Sequence, residues 1–369
     1  MTEPWAEATA LVAEAVGDRA ETWDRTGLLP TETLRELGGK GVLCAQVPQR
    51  YGGLGLSSLD NGELTARTGA RCSSLRSVLT SQGMAAWTVL RLGSADQRRT
   101  QLAALTGGSL AGVAFSEPDA GSDLSAMSTR ISEDGDGLRV DGRKVWITVG
   151  SYADLLVVFG RFGDEAAAVL VPTDAPGVRV ERVPDPLGCR AAGHADVRLD
   201  GVRLPREALL GGAAMPLGLI AATALTYGRV SVAWGCVGIL RSCLSEAARH
   251  AATRTQGGVP LSSHQLVRRH LAELTVAEQA ATRLCEHASR CWDARSPDLV
   301  TAAVLAKHFA ATRAATGASA AVQVLASAGS RDGHPVARAY RDAKLMELIE
   351  GSNEVSQLML ADHALAVWS

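Results

Sequence analysis

Residues 341–357 read RDAKLMELIEGSNEVSQ, and the rest of the chain can be arranged around them. A helical pattern carrying Leu345, Leu348 and Ile349 runs into Glu350 and stops at Gly351, the residue type that best tolerates the geometry ending a helix. Ser352 and Asn353 can then cap a new helix containing Val355, Leu358 and Met359. Glu350 is therefore expected on a helix-to-helix turn, held from both sides by packed elements. A carboxylate fixed in that way suits proton abstraction from a bound substrate, a role worth roughly 10²–10⁴ in rate. From these residues alone the ordinary reading is a solvated glutamate at a helix end, and the rest of the chain has to decide.

At 369 residues the chain is long for one core, so two or three domains are expected. Hydrophobic residues at 46% and charged residues at 21% describe a globular chain with ample core material. A formal net charge of -2 gives no basic excess for a nucleic-acid backbone, so nucleic acid is not an expected partner. The opening MTEPWAEATA has neither the basic start of a signal peptide nor the basic character of a transit peptide. The longest apolar run, residues 220–240, is interrupted by Arg229 and falls short of a bilayer span. These features read as a cytoplasmic protein without a membrane partner. Seven scattered cysteines form no metal-ligand spacing and no disulfide framework, and read as reduced core thiols with no metal site.

Taken in order, residues 1–108 read as a helical domain punctuated by Gly38-Gly39 and Gly52-Gly53. Residues 109–211 turn β-branched, with period-two alternation at residues 178–183 and turns at Asp134-Gly135 and Pro176-Gly177, which predicts a small antiparallel β-domain. Residues 212–369 return to long Ala-rich helices, including 217–254, 261–293 and 296–327, the last opened by Ser296 as cap and Pro297 at its first position. With the helix after Gly351 these make a C-terminal four-helix bundle. The fold class is α+β, mostly α, in the order helices, β-domain, bundle.

Four separately placed motifs carry a resemblance. They are Ala114-Phe115-Ser116-Glu117-Pro118-Asp119-Ala120-Gly121-Ser122-Asp123, then Lys144-Val145-Trp146-Ile147-Thr148, then the run from Arg254 through Leu261 ahead of His264-Gln265, and finally Ala339 through Gly351. Read on their own, Ser116, Gly121 and Ser122 make a loop whose amides and hydroxyls can approach an anionic or carbonyl-bearing ring, and Trp146 offers a flat apolar face. The same residues also read as a β-turn and a core tryptophan. Together and in this order the motifs resemble the acyl-CoA dehydrogenase family over essentially the whole chain, which implies that family's fold and an FAD cofactor that carries the redox chemistry.

The resemblance implies that Phe115, Ser116, Gly121, Ser122, Trp146 and Thr148 line the isoalloxazine and pyrophosphate of FAD, with Ser352 and Glu354 also on the cofactor side. It implies that Arg254 and Gln323 meet the pyrophosphate and ADP part of a cofactor reaching from a neighbouring subunit, hence a homodimer or homotetramer. Glu350 falls on the position of the catalytic base, and Arg229 and Ser122 on the substrate side. Departures are Gly257 where the family has an aromatic residue, Ala326-Ser327 where it has two glycines, and Thr226 where it has an acid. The first two bear on how tightly FAD binds.

Residues 72–78, 81–89, 231–238 and 324–329 are similar to the actinobacterial branch that makes the hydroxymalonyl, then methoxymalonyl, extender unit on an acyl carrier protein for polyketide assembly. This implies oxidation of a short hydroxylated C3 acyl group. A general short-chain acyl-CoA dehydrogenase acting on a CoA thioester, a flavin monooxygenase on the same fold, and a non-catalytic flavoprotein remain the alternatives.

Overall fold

The computed structural model describes residues 4–212 and 214–369. Six helices come first: α1 (Pro4–Val16), α2 (Ala20–Thr26), α3 (Thr31–Gly39), α4 (Ser58–Arg71), α5 (Ser73–Leu92) and α6 (Ala95–Thr106). Local chemistry sets their starts. The Ser57 hydroxyl accepts from the Asp60 amide to open α4, and Ser94 with Gln97 forms a reciprocal capping box at α6.

The sheet follows as β1 (Ala111–Ala114), β2 (Arg130–Asp134), β3 (Gly137–Ile147), β4 (Leu155–Phe162), β5 (Glu165–Pro172), β6 (Val178–Arg182) and β7 (Ala195–Pro205). Gly135 (φ 63°) and Gly163 (φ 63°) take the left-handed conformation at the β2–β3 and β4–β5 hairpins, where a side chain would be strained. The sheet is not wholly antiparallel as alternation alone predicts. β4 pairs in parallel with β1 and with the start of β2, while β2–β3, β3–β7, β4–β5 and β6–β7 are antiparallel. The cause is β4 itself, whose residues Leu156 to Gly160 are buried without alternation, the pattern of a strand covered on both faces.

The bundle consists of α7 (Leu217–Thr253), α8 (Gln265–Asp293), α9 (Leu299–Leu325), α10 (Pro335–Met346) and α11 (Asn353–Trp368), with a short hairpin of β8 (Thr255–Gln256) and β9 (Val259–Pro260) after α7. α9 starts at Leu299 rather than at Pro297: Ser296 accepts from the Asp298 amide and folds a turn ahead of the helix instead of capping it. α10 ends at Met346, earlier than the apolar spacing suggests, and residues 347–350 are turns. α7 has the length and hydropathy of a bilayer-crossing helix, but 67% of its most apolar window is buried inside the protein. It is the central core helix. All seven cysteines are free and buried.

Close approach of α4 and α7 depends on missing side chains. A Cβ on Gly62 would stand 2.2 Å from the Trp234 indole nitrogen, and one on Gly238 would stand 2.1 Å from the Ala66 carbonyl oxygen. Backbone cannot yield there as a flexible side chain would. We expect Gly238→Ala to destabilise the protein by about 1–3 kcal/mol or more, read as a lowered melting temperature. Gly218→Ala, with nothing within 4 Å of its new methyl, should leave the melting temperature unchanged or slightly raised.

Candidate active site

Glu350 sits in the turn between α10 and α11, and the turn is unusual. Glu350 has φ 56° and Gly351 φ 89°, so two consecutive residues are left-handed and only the second is a glycine. Strain of this kind, of order 1–3 kcal/mol, persists only where the surroundings impose it. Here Arg229 Nε donates to the Glu350 carbonyl oxygen at 3.1 Å, and Lys307 Nζ donates to the Gly351 carbonyl oxygen at 2.6 Å. Both cations are buried, Arg229 on α7 and Lys307 on α9. The Ser352 hydroxyl accepts from the Val355 amide at 3.4 Å and opens α11, as its position after Gly351 predicts.

The side chain of Glu350 points inward. A Cβ on Gly228 would lie 2.2 Å from Glu350 Oε2 and 2.8 Å from the Met84 sulfur, so the carboxylate lies in a notch between α5 and α7 that only glycine leaves open. Oε2 is buried and has no hydrogen-bond partner in the protein. Burial pushes the carboxyl up to about 7, against the pull of Arg229, Lys307 and Arg76 toward the charged form. A solvated helix-end glutamate is excluded by this geometry. What remains is a desolvated acid with an open oxygen and a pKa poised for proton transfer.

The residues expected at the flavin occupy the loop after β1 and the end of β3. Ser116 is half-buried and Gly121 and Ser122 are exposed, with no atom within 4 Å of where a Gly121 Cβ would stand. Trp146 is 52% exposed and has φ 58°, so it is not a core tryptophan: its face is presented outward by a strained backbone. The half-buried Thr148 hydroxyl lies 3.3 Å from His194 Nδ1. Phe115 turns inward and stacks on Phe159 with centroids 3.8 Å apart, leaving its backbone, not its ring, beside the loop.

A buried ion pair fixes this loop to β3. Lys144 Nζ is 2.7 Å from Glu117 Oε1 and donates to the Phe115 carbonyl at 3.0 Å, while Glu117 also accepts from the Ser128 amide and hydroxyl and the Thr129 amide. Burial opposes the charge on Glu117, but Lys144 and these donors prevail and hold its carboxyl at about 2. Every charge in the pair is answered, the condition under which burial is tolerable.

Arg254 and Gln323 come together elsewhere, around a cavity of about 620 Å³ whose walls also include His250, Gln256, His270 and Ala326. No residue of the sheet lines it. Glu354 is exposed on the first turn of α11. Thr226 spends its hydroxyl on the Ala222 carbonyl of its own helix. An exposed flat ring, an open loop and a roomy cavity holding an arginine and a glutamine fit the planar and anionic halves of FAD.

Sequence reasoning missed Lys307, Arg76, Gly228 and His194. A lone lysine in the Ala-rich run of α9 was the available signal for Lys307. His194 is buried, and burial brings it down to about 4, so it is neutral beside Thr148 at ordinary pH. Ala326 occupies the cavity wall at φ 51°, ψ −132°, a conformation essentially reserved for glycine. Ala326→Gly should therefore relieve strain and stabilise the protein by about 1 kcal/mol, seen as a higher melting temperature.

The domain profiles named acyl-CoA dehydrogenase N-terminal, middle and C-terminal domain match residues 4–109, 112–202 and 218–365. The mitochondrial short-chain specific acyl-CoA dehydrogenase of Mus musculus is 33% identical over 350 residues, spanning 93% of this chain and 84% of the relative. Among solved structures, FkbI, described as acting in biosynthesis of the methoxymalonyl extender unit of the polyketide immunosuppressant FK520, superposes with a TM-score of 0.93 at 60% identity, covering 97% of this chain and 99% of FkbI. Glutaryl-CoA dehydrogenase from Mycobacterium smegmatis in complex with FADH2 superposes with a TM-score of 0.91 at 28% identity, covering 98% of this chain and 95% of its own. The chain belongs to the acyl-CoA dehydrogenase family and is an FAD-dependent oxidoreductase.

Proposed function

We propose that this enzyme oxidises a short hydroxylated C3 acyl group carried on an acyl carrier protein, toward the hydroxymalonyl unit, with Glu350 as the base. The observation that carries the chemistry is the desolvated Glu350 carboxylate, one oxygen unpartnered, in the notch over Gly228. The likeness to FkbI, at 60% identity over 97% of the chain, supports the choice of substrate and the carrier. The likeness to a short-chain acyl-CoA dehydrogenase supports a second reading, α,β-desaturation of a CoA thioester by the same base. We place the enzyme in the cytoplasm as a homodimer or homotetramer.

On this reading Ser116, Gly121, Ser122, Trp146 and Thr148 hold the flavin, and Arg254 and Gln323 hold the outer half of a cofactor. FAD, when bound, supplies a two-electron acceptor. The chain supplies proton handling. If the C3 aldehyde reacts as its hydrate, the carbon-bound hydrogen leaves with its electron pair, the hydroxyl proton passes to Glu350 Oε2, and the carbon becomes a carboxylic acid. Glu350 must be ionised to accept that proton. Arg229 and Lys307 keep it aimed through the backbone and, as nearby cations, favour its charged form.

The test is anaerobic mixing of the FAD-loaded enzyme with the carrier-bound 2-hydroxy-3-oxopropionyl thioester and, separately, with butyryl-CoA. Bleaching of the flavin by the carrier form is expected, and bleaching by butyryl-CoA alone would replace the first reading with the second. Glu350→Gln should slow the competent reaction by roughly 10²–10⁴.

Because the carboxyl is raised to about 7, kcat/KM should climb with pH through that value and level off above it. Stability runs the other way. A carboxyl whose folded pKa lies above its unfolded one opposes folding once the unfolded chain ionises, so stability falls between about pH 4.5 and 7, by up to about 1.4 kcal/mol per pH unit. Glu350→Gln should therefore gain melting temperature relative to the parent at pH 8 and not at pH 4.

Lys307→Met should move the midpoint of the activity profile to higher pH and lower kcat. Lys307→Arg should restore the midpoint, which a merely structural role would not require.

A further inference from the structure

One buried side chain backs two of the residues assigned to the flavin. His194, the residue before β7, is 8% exposed. Its Nδ1 lies 3.3 Å from the Thr148 hydroxyl, and its ring sits 5.8 Å from the Trp146 ring at an interplanar angle of 57°. Its Nε2 is buried without a partner. Among the described residues the Thr148 hydroxyl has no hydrogen-bond partner other than His194. A buried imidazole with one nitrogen unanswered carries a cost that folding alone would not favour.

The backbone holds this arrangement under strain. Trp146 (φ 58°) and Val149 (φ 69°) are both left-handed, and Val149 is β-branched, a residue class poorly suited to that conformation. Such strain persists where the surroundings impose it, and here the segment that carries His194 does so. The Val149 amide donates to the Ala192 carbonyl at 3.0 Å, the Ser151 amide to the Gly193 carbonyl at 3.0 Å, and the Val183 amide to the His194 carbonyl at 2.9 Å. A Cβ on Gly193 would collide with the Tyr152 ring, so the two segments meet as closely as glycine allows. From the other side, the Ser81 hydroxyl on α5 donates to the Thr148 carbonyl at 3.2 Å. Thr148 is thus held at its backbone from both sides, and the direction of its hydroxyl hydrogen is left to His194.

Burial keeps the imidazole neutral at ordinary pH, so one ring nitrogen carries a hydrogen and the other is bare. Nε2 is unanswered in either tautomer; what differs is Thr148. With the hydrogen on Nε2, Thr148 would commit its own hydrogen to Nδ1 and offer a ligand only a lone pair. With the hydrogen on Nδ1, His194 fills the Thr148 oxygen and leaves the hydroxyl hydrogen free for a ligand. The oxygens and bare nitrogens of an oxidised isoalloxazine are acceptors, which suits the second arrangement. A donor fixed against them stabilises negative charge as electrons arrive. We infer that His194 is a positioning residue that donates from Nδ1 to Thr148 and so commits the Thr148 hydroxyl to the flavin, making the bound ring easier to reduce. The inference deepens the proposed function, and it rests on that reading only for the flavin's place against Thr148 and Trp146.

The midpoint potential of the FAD-loaded enzyme, measured without substrate, tests the assignment. Thr148→Val should lower it. His194→Leu should lower it too, and in a Thr148→Val background should add nothing, because the two residues act through one hydrogen bond. His194→Asn places an amide N–H where Nδ1 stands and should restore the parental potential, whereas His194→Gln reaches to the Nε2 position and should not. Should His194→Leu fail to fold, the contrast between Asn and Gln carries the reading by itself. Flavin reduction by the competent substrate should slow roughly three- to tenfold in His194→Leu, the size of one hydrogen bond, in kcat with KM little changed. A parental potential in His194→Leu or His194→Gln, or a shift that adds to that of Thr148→Val, overturns the assignment. A parental potential in Thr148→Val overturns it together with the flavin's proposed place. Failure to oxidise the carrier-bound substrate, with the potentials shifted as expected, would sink the proposed function and leave this inference standing.

Discussion

A carboxylate that must move protons cannot be tied down by hydrogen bonds to its own oxygens, and this constraint shapes the whole C-terminal half of the protein. Arg229 and Lys307 approach Glu350 but bond to carbonyl oxygens of the turn, those of Glu350 and Gly351, and leave Oε2 free. A net contribution of about 1.5–3 kcal/mol for each such charged bond outweighs the cost of a left-handed glutamate. The base is aimed by its backbone. Its side chain then answers only to burial and to the field of the surrounding cations, which oppose each other and leave the carboxyl at about 7.

Buried charge in this protein comes in two kinds. Lys144 and Glu117 answer each other and have further partners from Phe115, Ser128 and Thr129, which joins the loop after β1 to β3 and so fixes the strand that presents Trp146. That arrangement is self-sufficient and structural. Arg76 has no acid, an empty Nε and a sulfur for an acceptor. The contrast in satisfaction separates a charge answered within the fold from one that is only partly answered.

The order of domains and the place of Glu350 were legible because both rest on local signals: apolar periodicity, turn residues and a Gly-Ser pair after a helix. The end of α10 was misplaced because Leu348 and Ile349 keep a helical spacing while the chain turns to bring Glu350 under Arg229 and Lys307. Tertiary bonds overrode periodicity there. The parallel pairings of β4 were hidden because a strand buried on both faces does not alternate. Lys307 and Arg76 were missed for a different reason. A single cation in an apolar helix looks like a solvated residue until three dimensions show that it has no solvent.

Glycine distribution shows how a catalytic notch can coexist with a tightly packed core. Gly62 and Gly238 let helices touch, and a methyl at either place would meet a buried neighbour, the Trp234 indole or the Ala66 backbone. Gly228 and Gly235 lie on the same helix, yet the atoms they admit belong to Glu350 and Arg76. α7 therefore spends one missing side chain, at Gly238, on packing and two, at Gly228 and Gly235, on charged groups. Both demands fall on a helix that is buried along most of its length, where charges are screened less than at the surface. Placing the acid and the arginine against this helix gives each of them more electrostatic reach than a surface site of the same residues would have. Close-packed neighbours fix that reach in direction.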